Sequence, residues 1–353
     1  MRLFLSSCFA LSQLAGGLGF VQQIFARTRT NGNGGVTYRP RASSPVLDSS
    51  SPSTACNSAA ADGETLCLPF RHCSTVYIEM TDMYGIVYHA NYVTYFKRAI
   101  EDACGASGVR MHSLDSMKYR AAATIGEMVA CSGNLLSSSE GERSRWKFEL
   151  SDAADPSRVF VSAEAVVSWP GELALPRGTT VSAPSAERTT ASVDSQLLQP
   201  LPEAFADSPK SLEVVAWSDD FDGGGDLSIR AVLNYFERIR TLSLGRGPDG
   251  ELGLVRLHRE GVSVVVTNIA DLRVNSKGVA AGDRLDVRLG AKLSRGNRVM
   301  TMYESLWTKG GRLVAHAEIS LFCMDNESRR FRSVPPWVQE ALIVPSAAAN
   351  GVK

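Results

Sequence analysis

Tyr77-Ile78-Glu79-Met80-Thr81-Asp82-Met83-Tyr84-Gly85-Ile86-Val87-Tyr88-His89-Ala90-Asn91-Tyr92 decides how this chain is read. A short extended run ends at Asp82, and Gly85 supplies the freedom for a tight turn. Beyond it Tyr92, Phe96, Ala99 and Ala103 recur at i, i+4 and i+7, which predicts a helix with one apolar face starting near Tyr88 or His89. The same arrangement returns 140 residues later: Trp217, Asp219, Asp222, Gly225, Tyr235-Phe236 and Arg238 answer Tyr77, Glu79, Asp82, Gly85, Tyr95-Phe96 and Arg98. Further on, Gly126-Glu127 answers Gly282-Asp283 and Phe148-Glu149 answers Tyr303-Glu304 at an offset of about 155, with a loop near 245–260 taking up the difference. A repeat of this length means two duplicated domains, because each unit is long enough to hold its own core.

After each predicted helix come runs rich in β-branched residues. They are Trp146–Leu150 and Val159–Trp169 in the first half, and Val264–Thr267, Arg284–Leu289, Met300–Trp307 and Leu313–Phe322 in the second. One long helix and an antiparallel meander per half make an α+β layout. The domains are placed at 70–170 and 211–330, with a linker at 171–210, where Pro, Ser, Thr and Ala dominate without periodicity, and a tail at 331–353.

Composition excludes several classes. The 353 residues carry 37 basic and 37 acidic side chains, so no net field attracts nucleic acid or an anionic membrane. Cysteines at 8, 56, 67, 73, 104, 131 and 323 are odd in number and lack a C-x-x-C pair, and His72, His89, His112, His258 and His316 lie too far apart for a short ligand motif. Neither a metal nor a cofactor is expected. Residues 1–65 read as a largely disordered targeting segment: Met1 to Leu47 holds no acidic residue, and Arg2, Arg27, Arg29, Arg39 and Arg41 sit among Ser, Thr, Gly and Asn. A plastid is the expected destination, with a mitochondrion as the alternative. Secretion would make Asn326-Glu327-Ser328 a glycosylation acceptor. No apolar run is long enough for a membrane span.

The opening stretch resembles the 4-hydroxybenzoyl-CoA thioesterase group of the hotdog superfamily, whose pattern is D-x-x-G-x-V-Y/F-x-x-x-Y followed by Y/F-F-E/K-R-A. Met117 to Val129 is similar to the segment after the family's helix, with Ala122 standing where proline is common. The resemblance covers about 100 residues of the first half, and extends more loosely to the second. It implies two tandem hotdog domains, each a long central helix wrapped by an antiparallel sheet, paired as a pseudo-dimer, and an acyl thioesterase acting on acyl-CoA or on acyl-carrier protein. A further homodimer of double hotdogs is an open expectation.

By the same resemblance Asp82 corresponds to the catalytic carboxylate, and the His89 backbone N–H to the donor that polarises the carbonyl. The chemistry fits the spacing: a thioester carbonyl needs an oxygen to attack it or to activate water, and donors for the charge that develops on the acyl oxygen. A strand, a turn and a helix start supply both. The His89 ring is a second catalytic candidate or a pocket wall, and Gly85, Tyr88, Asn91 and Tyr92 are candidates for substrate contact. Plainer roles stand beside these: Asp before a turn is commonly a cap, Tyr84, Tyr88 and Tyr92 serve equally as packing, and Glu101 reads as an i,i+4 partner of Lys97.

In the second half Asp222 and Gly225 keep their places, but Ile229 and Ser228 stand where His89 and Tyr88 do, and Asp222 lies in an acidic, glycine-rich run. A degenerate second site is expected. A double-hotdog dehydratase would need a histidine and acid in a hydration motif that the sequence lacks. A non-catalytic acyl-binding or scaffold protein is the alternative of a different class.

Overall fold

The computed structural model describes residues 70–82, 85–104, 107–138, 143–168 and 210–343. The targeting segment, nearly all of the 171–210 linker and residues 344–353 lie outside the described residues.

The first repeat consists of β1 (Phe70–Thr75), α1 (Tyr92–Cys104), β2 (Arg110–Tyr119), β3 (Met128–Ser138), β4 (Ser144–Asp152) and β5 (Val159–Ser168). The second has β6 (Lys210–Val215), α2 (Ile229–Ser243), a short α3 (Gly253–Arg259), β7 (Val262–Val274), β8 (Arg284–Ser294), β9 (Val299–Thr308) and β10 (Leu313–Asp325), then β11 (Phe331–Arg332) and α4 (Pro336–Ile343). The strands form one eleven-stranded sheet in the order β1-β3-β4-β5-β2-β7-β10-β9-β8-β6, with β11 on β10. All the strand pairs are antiparallel. The order is a palindrome in equivalent strands, so the repeats meet edge to edge at β2 and β7.

The register at that join is itself symmetric. By their places in the two sheets, Leu114 answers Ile269, Met117 answers Leu272, Ser113 answers Asn268 and Lys118 answers Arg273. Exchanging equivalents turns the pair Leu114–Leu272 into Ile269–Met117, and Ser113–Arg273 into Asn268–Lys118, and all four pairs are present. Leu114, Met117, Ile269 and Leu272 are fully buried, so the core is continuous across the join.

Each helix packs against the strands of its own repeat because its apolar side chains leave it no other stable place. In α1 these are Tyr92, Val93, Phe96, Ala99 and Ile100; in α2 they are Val232, Leu233, Phe236 and Ile239. Phe96 stacks on Phe148 of β4 with ring centroids 5.2 Å apart, and Phe148 stacks in turn on Trp146. Arrangement and strand order are those of the hotdog fold, twice over.

Three sequence expectations change. The 245–260 loop contains α3, two turns too short to show a clear period. Strands β2 and β3 were not read in the sequence; β2 is rich in Ser, His and Asp, and two bulges interrupt its alternation. The expected tail begins with ordered structure: β11 pairs with β10, and Val334, Val338 and Leu342 are buried in the core.

Candidate active site

The turn at Asp82 is built by backbone chemistry. Asp82 N–H donates to Ile86 O at 2.8 Å and Gly85 N–H to Asp82 O at 3.0 Å, with Gly85 at φ +71°. An isolated bridge, Thr81 to Val87, closes the loop, and Tyr88 N–H donates to Met80 O at 3.0 Å. The Asp82 carboxylate accepts from Ile86 N–H at 3.3 Å and is exposed to solvent.

His89 opens a single 3-10 turn, His89–Asn91, that leads directly into α1. At the first position of such a turn a backbone N–H has no acceptor within the helix. Three contacts hold the turn in place: Asn91 Nδ2 donates to Met80 O at 3.0 Å, the Tyr119 hydroxyl donates to His89 O at 3.0 Å, and Tyr92 Oη accepts from Ala123 N–H at 3.1 Å. Asn91 and Tyr92 are buried. Both were candidates for substrate contact, and both side chains are engaged in fixing the turn. Gly85 serves the turn through its backbone conformation.

The side chains of Tyr88 and His89 meet the second repeat. Arg240 of α2 places Nη2 3.2 Å from His89 Nε2, donates through Nη1 to Glu304 Oε2 at 2.9 Å, and through Nη2 to Glu237 Oε2 at 2.6 Å. Arg240 and Glu304 are buried, with Glu304 wholly inaccessible, while Glu237 is partly exposed. Burial, reinforced by Arg240, pushes the His89 imidazole down to about 4. Burial also lifts Glu304 to about 8 against the pull of Arg240. For Glu237 burial works in the same upward direction, but Arg240 and His89 outweigh it and the carboxyl ends below its usual range. Burial and then Glu237 raise the Tyr88 phenol. The cluster thus sets one guanidinium between two carboxyls, one held low and the other pushed up, beside an imidazole pushed down. Glu304 Oε1 is buried without a hydrogen-bond partner.

Sequence reasoning missed Arg240, Glu237 and Glu304. Strand pairing explains why they matter. In the first repeat Phe70, Gly133 and Phe148 lie abreast; in the second Lys210, Leu289 and Glu304 do so. Glu304 thus takes the place of Phe148, an offset of 156 rather than the 155 suggested by matching acid with acid. Ile100, Lys97 and Ile229 hold the places corresponding to Arg240, Glu237 and His89. The polar cluster accordingly occurs once, at the Asp82 end.

The second turn repeats the backbone of the first. Asp222 N–H donates to Asp226 O at 2.8 Å, Gly225 N–H donates to Asp222 O at 3.0 Å, and Gly225 has φ +80°. Here Asp222 Oδ1 accepts from both Gly224 N–H and Asp226 N–H, at 3.0 and 3.3 Å. The Arg110 guanidinium covers Gly224 so closely that a Cβ there would lie 1.8 Å from it, and Arg110 also pairs with Asp226 at 3.6 Å. The helix beyond is capped by Ser228, whose hydroxyl accepts from Ala231 N–H. No group of three or more His, Cys, Asp or Glu side chains suited to a metal occurs among the described residues.

Residues 215–342 match the family model of the Thioesterase-like superfamily. No curated protein matches the chain by sequence. Among solved structures the chain is similar to an acyl-ACP thioesterase from Bacteroides thetaiotaomicron, with 10% identity, TM-score 0.48, and coverage of 71% of this chain and 96% of that one. It is similar to the 12:0-ACP thioesterase from Umbellularia californica, with 11% identity, TM-score 0.48, and coverage of 72% and 94%. The 1,4-dihydroxy-2-naphthoyl-CoA thioesterase from Synechocystis matches with 18% identity and TM-score 0.34, covering 38% of this chain and 96% of that one. Residues 215–342, the greater part of the second repeat, are thus similar to the thioesterase-like superfamily.

Proposed function

We propose that this protein hydrolyses an acyl thioester at one site, in the first repeat, with Asp82 as its catalytic carboxylate. The observation that carries the reading is that one turn presents an exposed carboxylate at Asp82 and, seven residues on, a helix-start N–H at His89. As general base, Asp82 takes a proton from water while the water oxygen attacks the carbonyl carbon. The His89 N–H, with the positive end of α1 behind it, donates to the oxygen that becomes negative. The C–S bond then breaks, and the thiolate leaves and takes up a proton. A nucleophilic Asp82 would instead form an anhydride that water cleaves in a second step.

The substrate is an acyl-CoA or an acyl-carrier protein. The match of residues 215–342 to a thioesterase-like model supports the class, and the names of the similar structures agree with it. The second repeat serves as the fused partner of the first, its own turn being covered by Arg110. Residues 1–65 act as a transit peptide to the plastid, with the mitochondrion as the alternative. No helix among the described residues is long and apolar enough to cross a membrane.

The test is thiol release by the purified protein from aromatic and aliphatic acyl-CoAs and acyl-carrier proteins of graded length. Hydrolysis that collapses in Asp82→Asn supports the reading. Tight acyl-CoA binding without turnover would replace it with a non-catalytic acyl-binding protein. A fluorescent fusion of residues 1–65 tests the destination.

A further inference from the structure

The second repeat does more than complete the sheet. Its helix α2 reaches into the first repeat's candidate site through one side chain, Arg240, whose guanidinium meets His89 at 3.2 Å. A guanidinium only donates, so the imidazole nitrogen facing it has to accept, and the ring's proton lies on Nδ1. His89 therefore has a fixed tautomer, and its Nε2 lone pair is occupied. Arg240 is fixed in turn by Glu237 on its own helix and by Glu304 on β9. Tyr88 on the same turn and the Tyr119 hydroxyl from β2, which holds the His89 carbonyl, complete the titratable groups facing the ring.

This arrangement is one-sided. The corresponding places in the other direction, Ile229, Ile100, Lys97 and Phe148, cannot form it. Burying a guanidinium and two carboxyls is costly where apolar side chains would pack as well, so the cluster is not explained by stability. The turn it holds carries the proposed oxyanion donor.

We infer that Arg240 is a positioning residue: acting through the His89 ring, the second repeat fixes the orientation of the turn whose N–H receives the acyl oxygen in the first. The inference rests on the thioesterase reading given above for its catalytic readout, and on the Arg240–His89 contact for its structural one. It assigns the imidazole no proton transfer and gives the second repeat a part in catalysis without a carboxylate of its own.

The experiment uses the full chain. Long-range ¹H–¹⁵N spectra of histidine-labelled protein should show His89 as the neutral Nδ1–H tautomer down to about pH 5, and Arg240→Lys should loosen that lock. The double variant Arg240→Ile/Glu304→Phe installs the first repeat's own residues at both places, which keeps the core apolar and packed. Its kcat should fall roughly 10- to 100-fold while KM stays near the wild-type value, as expected when a donor is misplaced by a fraction of an ångström to an ångström. His89→Gln, which keeps an acceptor toward Arg240, should lose less than His89→Leu. Equal losses in the two His89 variants would mean that the ring itself moves a proton, and would overturn the inference. So would a folded double variant with wild-type kcat, or a His89 that titrates near its ordinary value in the wild type. If the wild type hydrolyses no thioester, the functional reading fails, and the spectra still decide whether Arg240 sets the state of His89.

Discussion

Glu304 occupies in the second repeat the position that Phe148 occupies in the first. Phe148 stacks between Phe96 and Trp146 as ordinary core. Glu304, equally inaccessible, meets a guanidinium through one oxygen and nothing through the other. One strand position thus carries packing in one repeat and a titrating group in its copy.

That difference sets a pH dependence of stability. The folded-state value of Glu304 is raised to about 8, so the proton it binds in the native protein contributes stability that is fully present below the unfolded value near ~4.3 and is lost as the pH rises through about 8. His89 works in the opposite direction: its value is lowered to about 4, so its contribution is present above the unfolded value near ~6.5 and is lost as the pH falls toward about 4. Between these limits the two partly cancel. From roughly pH 6.5 to 8 only Glu304 acts, and urea unfolding should show stability falling by up to about 1.4 kcal/mol per pH unit. Glu304→Gln should flatten this limb. An unchanged slope in that variant would mean that Glu304 is not the group responsible.

The two aspartates should behave differently. Asp82→Asn is expected to lower turnover by about 10²-fold or more, the range for a lost catalytic acid or base. Asp222→Asn should change turnover little, because its oxygen is engaged by its own loop and Arg110 lies over that loop. Steady-state thiol release decides this, and a larger loss from Asp222→Asn would reverse the assignment of the working repeat.

Gly85→Ala tests the turn without touching a polar side chain. An alanine Cβ would lie 3.6 Å from Ile125, an ordinary contact, so the cost comes from the backbone at φ +71°. A destabilisation of about 1 kcal/mol is expected in thermal melts, together with a larger fractional loss of kcat than of stability. An active, fully stable variant would show that the turn tolerates another shape.

Leu114→Ala opens a cavity at the join between repeats. Leu114 is fully buried and pairs with Leu272 across it. A loss of about 2–5 kcal/mol is expected. Because the core is continuous, calorimetry should show one transition moving to lower temperature. Two separated transitions would mean that the repeats unfold independently.

The sequence made the duplication, the helices and the Asp82 turn legible, because each has a local signature: an acid, a glycine three residues on, and an apolar face at helical spacing. The strands with broken alternation were not legible, and neither was the buried cluster. Arg240 looks like a surface cation three residues from Glu237, and Glu304 aligns more attractively with Glu149 than with Phe148. A shift of one residue in a strand exchanges its two faces, and only the pairing register reveals it. The exposure of Asp82 was likewise invisible, since the direction of a turn depends on what packs beneath it.

The join at β2 and β7 also settles which rims of the sheet remain open to strangers. Were a repeat to stand alone, a strand of 10 or 13 residues would offer its unpaired N–H and C=O groups to any extended peptide. In the fused chain the middle of those rims, Ser113–Lys118 on β2 and Asn268–Arg273 on β7, is satisfied by the other repeat. The outermost strands are β1 and β6, six residues apiece. Arg71 and His72 punctuate the former, Lys210 and Glu213 the latter, and short charged borders make poor templates for further strand addition. Tethering two copies in one polypeptide therefore shortens the strand edge open to amyloid-like growth, whatever it contributes to chemistry.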